Sequence, residues 1–150
     1  MATTREQAMT ALFNLLNGKV PGINTYSRRV TLPQACKSQS LPVLMMYERP
    51  EEIKNPGLAT PAIRTWYVWL LVVFRNPSKV DPGASILNPI LDGIEAALAP
   101  TGRDLSYQGA QTLGGLVQQC KIEGEIHKEL GDTDPDGLGG AIVPLRIVVP

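Results

Sequence analysis

The feature that most constrains this chain is the run Trp66–Phe74, which is apolar at every position. It lies inside Ile63–Arg75, a segment dense in aromatic and β-branched residues and therefore a predicted strand. Side chains of a strand alternate between its faces. Trp66, Val68, Leu70, Val72 and Phe74 fall on one face, and Tyr67, Trp69, Leu71 and Val73 on the other. Both faces of such a strand need cover, because a row of large apolar groups left in water is unusual for a monomer. Either the sheet curls over its own second face, or another subunit covers that face. Nine apolar residues are too few for a membrane-spanning helix, which needs about 20.

Only two helices are predicted to help with that cover. Thr3 or Thr4, followed by Glu6 or Gln7, forms a capping box ahead of Ala8, Ala11, Leu12, Leu15 and Leu16 at helical spacing. Asn17-Gly18 stops this helix. The second helix carries the stripe Ile86, Leu87, Ile90, Leu91, Ile94 and Leu98 and ends at Pro100. Its start is either Asp81 with Pro82 at the first helical position, or Asn88-Pro89, since Pro89 sits poorly inside a helix.

Around these lie further predicted strands, at Tyr26–Leu32, Leu41–Glu48, Leu116–Leu130 and Ala141–Val149. In the third, Leu116, Cys120, Ile122 and Ile126 alternate with polar Lys121, Glu123, Glu125 and His127, the mark of a half-buried strand. The last two strands are expected to form a hairpin. Arg49–Thr60 and Gly131–Gly140 read as exposed connections, and a turn-rich stretch follows Pro100. The order helix, three strands, helix, two strands implies one α+β domain over residues 1–150. Its mostly antiparallel sheet has four to five strands with two helices on one face.

Chemistry is sparse. The 14 basic and 14 acidic residues balance, which gives no support for a general nucleic-acid or membrane-surface binder. Met1–Gln7 is polar and lacks the order of a signal peptide, so synthesis and folding in the cytoplasm are expected. Cys36 and Cys120 are expected to be free and buried. His127 is the one histidine, and a catalytic or ligand-binding reading would need it in a polar pocket with Glu123 and Glu125. Asp132-Thr133-Asp134-Pro135-Asp136-Gly137 fits the opening of a calcium loop, but Val143 stands where a bidentate acid belongs and the flanks read as strands. A solvated turn is the simpler reading. No catalytic residue, metal or cofactor is expected.

Several local sequences together resemble the tail terminator and minor tail proteins of tailed bacteriophages. They are Arg5-Glu6 before the Ala/Leu stripe, Leu41-Pro42-Val43-Leu44, the aromatic strand at Trp66, and Leu87-Asn88-Pro89-Ile90-Leu91 running to Ala97-Leu98. Leu113-Gly114-Gly115 and the closing Ile142-Val143-Pro144-Leu145-Arg146-Ile147 complete the set. The resemblance implies a non-enzymatic virion subunit, assembled in the host cytoplasm. It would form a homo-oligomeric ring, commonly a hexamer, that caps the tail tube, ends its polymerisation and contributes to head–tail joining. A head–tail connector is the alternative. The implied partners are copies of itself, the tail tube protein and neck proteins, with DNA passing through the lumen without specific binding. Within that frame the expected subunit interface is Tyr67, Trp69, Leu71 and Val73 with Arg28 and Arg29. The expected tube- or lumen-facing groups are Glu51, Glu52, Lys54, Asp132, Asp134 and Asp136.

Overall fold

A computed structural model describes residues 3–101 and 109–149; part of the turn-rich stretch after Pro100 lies outside them. The protein is α+β, and one mixed sheet holds seven strands rather than four to five. These are β1 (Thr25–Ser27), β2 (Val43–Glu48), β3 (Glu52–Lys54), β4 (Ile63–Arg75), β5 (Gln119–Ile122), β6 (His127–Glu129) and β7 (Leu138–Val149). The order across the sheet is β1-β2-β4-β7-β5, with β3 beside β2 on β4 and β6 beside β5 on β7. Only β1 and β2 run parallel.

Helix α1 (Arg5–Leu16) starts as its capping box dictates. The Gln7 N–H donates to Thr4 Oγ1 at 3.2 Å, and the Thr4 N–H donates to Gln7 Oε1 at 2.9 Å. Helix α2 spans Ala84–Leu98 and begins at neither predicted start. Gly83 is its N-cap, and Pro89 lies inside the helix without ending it. The cap N–H is held from across the fold, donating to Asp132 Oδ1 at 2.8 Å. A carboxylate at that end also complements the helix dipole.

Both helices cover the same sheet face. Leu12 and Leu16 of α1 and Leu87, Ile90 and Ile94 of α2 form one core with Trp66, Val68, Leu70, Val72 and Phe74 of β4. From β7, the alternate residues Ala141, Val143, Leu145, Ile147 and Val149 join it. Burial of that many aliphatic and aromatic groups is the main force fixing the helices to the sheet.

Two predicted strands are shorter than expected. The strand at Tyr26–Leu32 reduces to β1, so Arg28 and Arg29 stand outside any strand. Leu116–Leu130 divides into β5 and β6, both paired with β7. Ile122 faces Leu145 and His127 faces Ile142, so four residues on one side oppose two on the other. Pro144 sits at this bulge without an N–H, and Gly124 takes φ +113°, a conformation open to glycine and strained for other residues. The expected hairpin survives as β6–β7.

Candidate functional site

The second face of the sheet has no helix on it. Its rows follow from the strand register. Tyr47, Trp69 and Pro144 lie side by side, as do Met45, Leu71, Ile142 and His127. This outer face is covered at one end only. The segment after β1 turns back across it through short 3-10 turns at Pro33–Ala35 and Ser38–Ser40. The strap is pinned by Thr31, whose N–H donates to Met45 Sδ at 3.2 Å, and by Arg75, which donates to Ser38 Oγ at 3.0 Å. Beneath it Leu41, Val43, Met45 and Val73 form a second small core, with Leu71 and Cys36 packed against it. At the Val73 end the strap therefore supplies a partial third layer, a covering element beyond the two predicted helices.

Beyond the strap the face is open. Tyr67, Trp69 and Leu71 are half-buried, and Tyr47 is exposed. The Tyr47 and Trp69 rings sit 6.1 Å apart at a tilt of 56°. Arg49 lies over both, 4.1 Å from the Trp69 centroid and 5.6 Å from that of Tyr47. Tyr47 and Arg49 were not singled out by the sequence reading, although they continue the outward alternation Val43, Met45, Tyr47, Arg49. Of the interface residues expected from sequence, the structure groups Tyr67, Trp69, Leu71 and Val73 on this face, with Val73 already buried. Arg28 and Arg29 are not part of that row. Arg28 pairs instead with Glu6 and, at 3.6 Å, with Glu48, and its hydrogen bond draws the Glu6 pKa down.

Between the strap and the β6–β7 end lies a groove of about 500 Å³. Leu32 and Pro33 form one wall, Met45, Leu71 and Ile142 the floor, and His127, Glu129, Asp134 and Asp136 its charged and titratable rim. Glu123 and Glu125 do not line it with His127: Glu123 turns to Arg146, 3.2 Å away, and to Lys121 at 3.7 Å. The polar pocket that a His127-centred chemistry requires is thus not assembled from those three residues.

The residues expected to face a tube or lumen have local partners. Glu51 accepts a bidentate pair from Arg5, with a shortest contact of 2.7 Å, and this hydrogen bonding lowers its pKa. Glu52 and Lys54 belong to β3, a strand within the region read as a loop, and pair at 3.0 Å. Asp132 caps α2. Asp134 Oδ2 accepts from the N–H groups of Asp136 and Leu138, at 3.0 and 2.9 Å. Asp132 is therefore a cap and Asp134 a turn-forming group, while Asp136 is exposed and takes part in the turn through its backbone N–H; among the described residues no three His, Cys, Asp or Glu side chains converge as a metal site. Both cysteines are free. Cys120 is buried, and its surroundings push the thiol up to about 12; Cys36 is only half-buried and is raised by the same cause. No described helix is long and apolar enough to cross a membrane.

No protein-family model matches the sequence, and no curated protein matches it.

Proposed function

We propose that this chain is a self-assembling structural subunit, the tail terminator of a tailed bacteriophage. In this reading it forms a ring, a hexamer by the resemblance, that caps the tail tube, halts its growth and meets the neck proteins. It carries out no catalysis, and DNA passes its lumen without sequence-specific contact. The observation that carries the reading is the open half of the outer sheet face. Exposed Tyr47 and half-buried Trp69, Leu71 and Ile142 sit in neighbouring rows there with no helix over them, and among the described residues only Arg49 lies across the two rings. Aromatic and aliphatic groups grouped on a face that no helix covers suit an interaction surface. The sequence resemblance supplies the identity of the assembly.

Native mass spectrometry and light scattering test the assembly directly, with a closed ring as the expected species. Tail tubes grown with and without the protein test the role: tubes should reach a defined length only in its presence. Trp69→Asp should abolish the ring while the subunit stays folded. A strict monomer at high concentration that also leaves tube length unchanged would refute the proposal.

A further inference from the structure

The groove on the outer face has one feature that selects its occupant. Its floor and wall are apolar, and among the described residues the charged ones lining it are Glu129, Asp134 and Asp136, with no Lys or Arg. Glu129 and Asp136 are exposed and outside every ion pair among the described residues. A complementary guest is an apolar side chain flanked by cations. The same chain presents one. Lys54 and Ile63 pair at the mouth of the β3–β4 hairpin, and residues 55–62 form its loop. Leu58 stands at the tip, 101% exposed, and Ile53 and Ile63 flank it at 53% and 45%. From Ile53 to Arg64 the only charges are Lys54 and Arg64. Lys54 is held only by the surface pair with Glu52, the kind of contact that contributes little and exchanges readily.

The loop is also shaped for docking. Pro56 and Pro61 bracket the turn, which closes through the Thr60 N–H donating to the Gly57 carbonyl at 3.4 Å. Ala59 holds φ +57°, a left-handed conformation that costs energy for a residue with a Cβ. A turn ordered in advance loses less entropy on binding. Loop and groove cannot meet within one subunit. The loop precedes Ile63 at one end of β4, while the groove floor begins at Leu71, about 25 Å further along the strand.

We infer that the Leu58 loop of one copy inserts into the acidic-rimmed groove of a second copy, a head-to-tail contact between different surfaces of the subunit. Such a contact generates a ring when its rotation closes and a filament when it does not. The inference rests on the self-assembly reading above and names one contact of that assembly, beside the surface around Trp69.

Complementing variants of the full chain test it. Leu58→Asp removes the guest, and Glu129→Lys or Ile142→Arg spoils the host. Circular dichroism confirms folding, and the exposed Glu129 site serves if Ile142→Arg does not fold. Each variant alone should associate roughly tenfold to a hundredfold more weakly than the wild type, the range expected for losing one buried Leu. An equimolar mixture of a loop variant and a groove variant retains one intact contact and should give a dimer by native mass spectrometry. A mixture that stays monomeric overturns the head-to-tail contact. Rings of wild-type strength from the single variants overturn the inference and leave the self-assembly reading standing. A wild type that is monomeric at every concentration, including one whose groove serves some other chain, overturns the contact, and it overturns the self-assembly reading as well when tail-tube length is also unchanged by the protein.

Discussion

The two tryptophans of β4 lie three residues apart on opposite faces, and substituting each to alanine separates core from surface on one strand. Trp66 is 1% exposed and sits under the helices. Its removal loses the whole buried ring and leaves a cavity, a change that costs about 3–5 kcal/mol. Trp69 is half-buried with one side toward solvent. Its removal loses the Arg49 cation–π contact, worth about 0.5–1 kcal/mol at such a site. It also loses the tilted pair with Tyr47, worth a similar amount. These two contacts together come to about 1–2 kcal/mol, and the ring's partial burial adds to them, but the total for the isolated subunit should stay below that of Trp66→Ala. A third variant sharpens the contrast. Trp66 Nε1 is buried without a hydrogen-bond partner among the described residues, which costs about 1–3 kcal/mol. Trp66→Phe removes that unsatisfied donor while surrendering part of the ring's packing, and the two effects offset to within about 1 kcal/mol. Guanidinium denaturation at low protein concentration, followed by circular dichroism, measures all three. If Trp69→Ala costs as much as Trp66→Ala, the outer face is a closed core and the open-surface reading fails. If Trp66→Phe is as damaging as Trp66→Ala, the donor is satisfied and the buried-group reasoning fails.

Other outcomes follow from the same contacts. Thr4→Ala deletes the helix cap and should lower stability by about 1 kcal/mol, with Thr4→Ser recovering most of it, measured by denaturant midpoint. A disulfide reagent at pH 8 should label Cys36 slowly and Cys120 only after unfolding; rapid labelling of both in the native protein would contradict the burial of Cys120. The carboxyls of Glu6 and Glu51 are held below the usual 4.5 by their arginine partners, so their contribution is present above that value and lost as pH falls through the depressed values. Melting temperature should therefore drop more steeply below about pH 4.5 in the wild type than in Glu51→Gln, and the difference should shrink in high salt.

Local signals were legible in the residues themselves. The capping box of α1 and its aliphatic stripe act within a few residues, and the structure forms the helix there. Strand β4 spans the same Ile63–Arg75 that its composition marks out, since a long β-branched and aromatic run has one favourable backbone. β7 extends three residues earlier than expected because Leu138, Gly139 and Gly140 gain partners on β4 that composition does not reveal. β3 was missed for a similar reason: three residues, two of them charged, become a strand only because Ile63–Thr65 offers an unpaired edge.

The sequence by itself determined that Trp66–Phe74 needs cover on both faces, because alternation of side chains is a property of any strand. It also determined the two helices that cover the first face, whose apolar stripes are periodic along the chain. Only the tertiary structure decided how the second face is treated. The strap that buries Val73 mixes apolar Val30, Leu32, Pro33 and Cys36 with polar residues and short turns, and it is held by Arg75–Ser38 and Thr31–Met45, contacts 37 and 14 residues apart. The structure also decided that Arg28 serves Glu6 and Glu48 and that Asp132 caps α2, since a charged side chain takes the partner that folding brings within reach, and no local pattern specifies that partner.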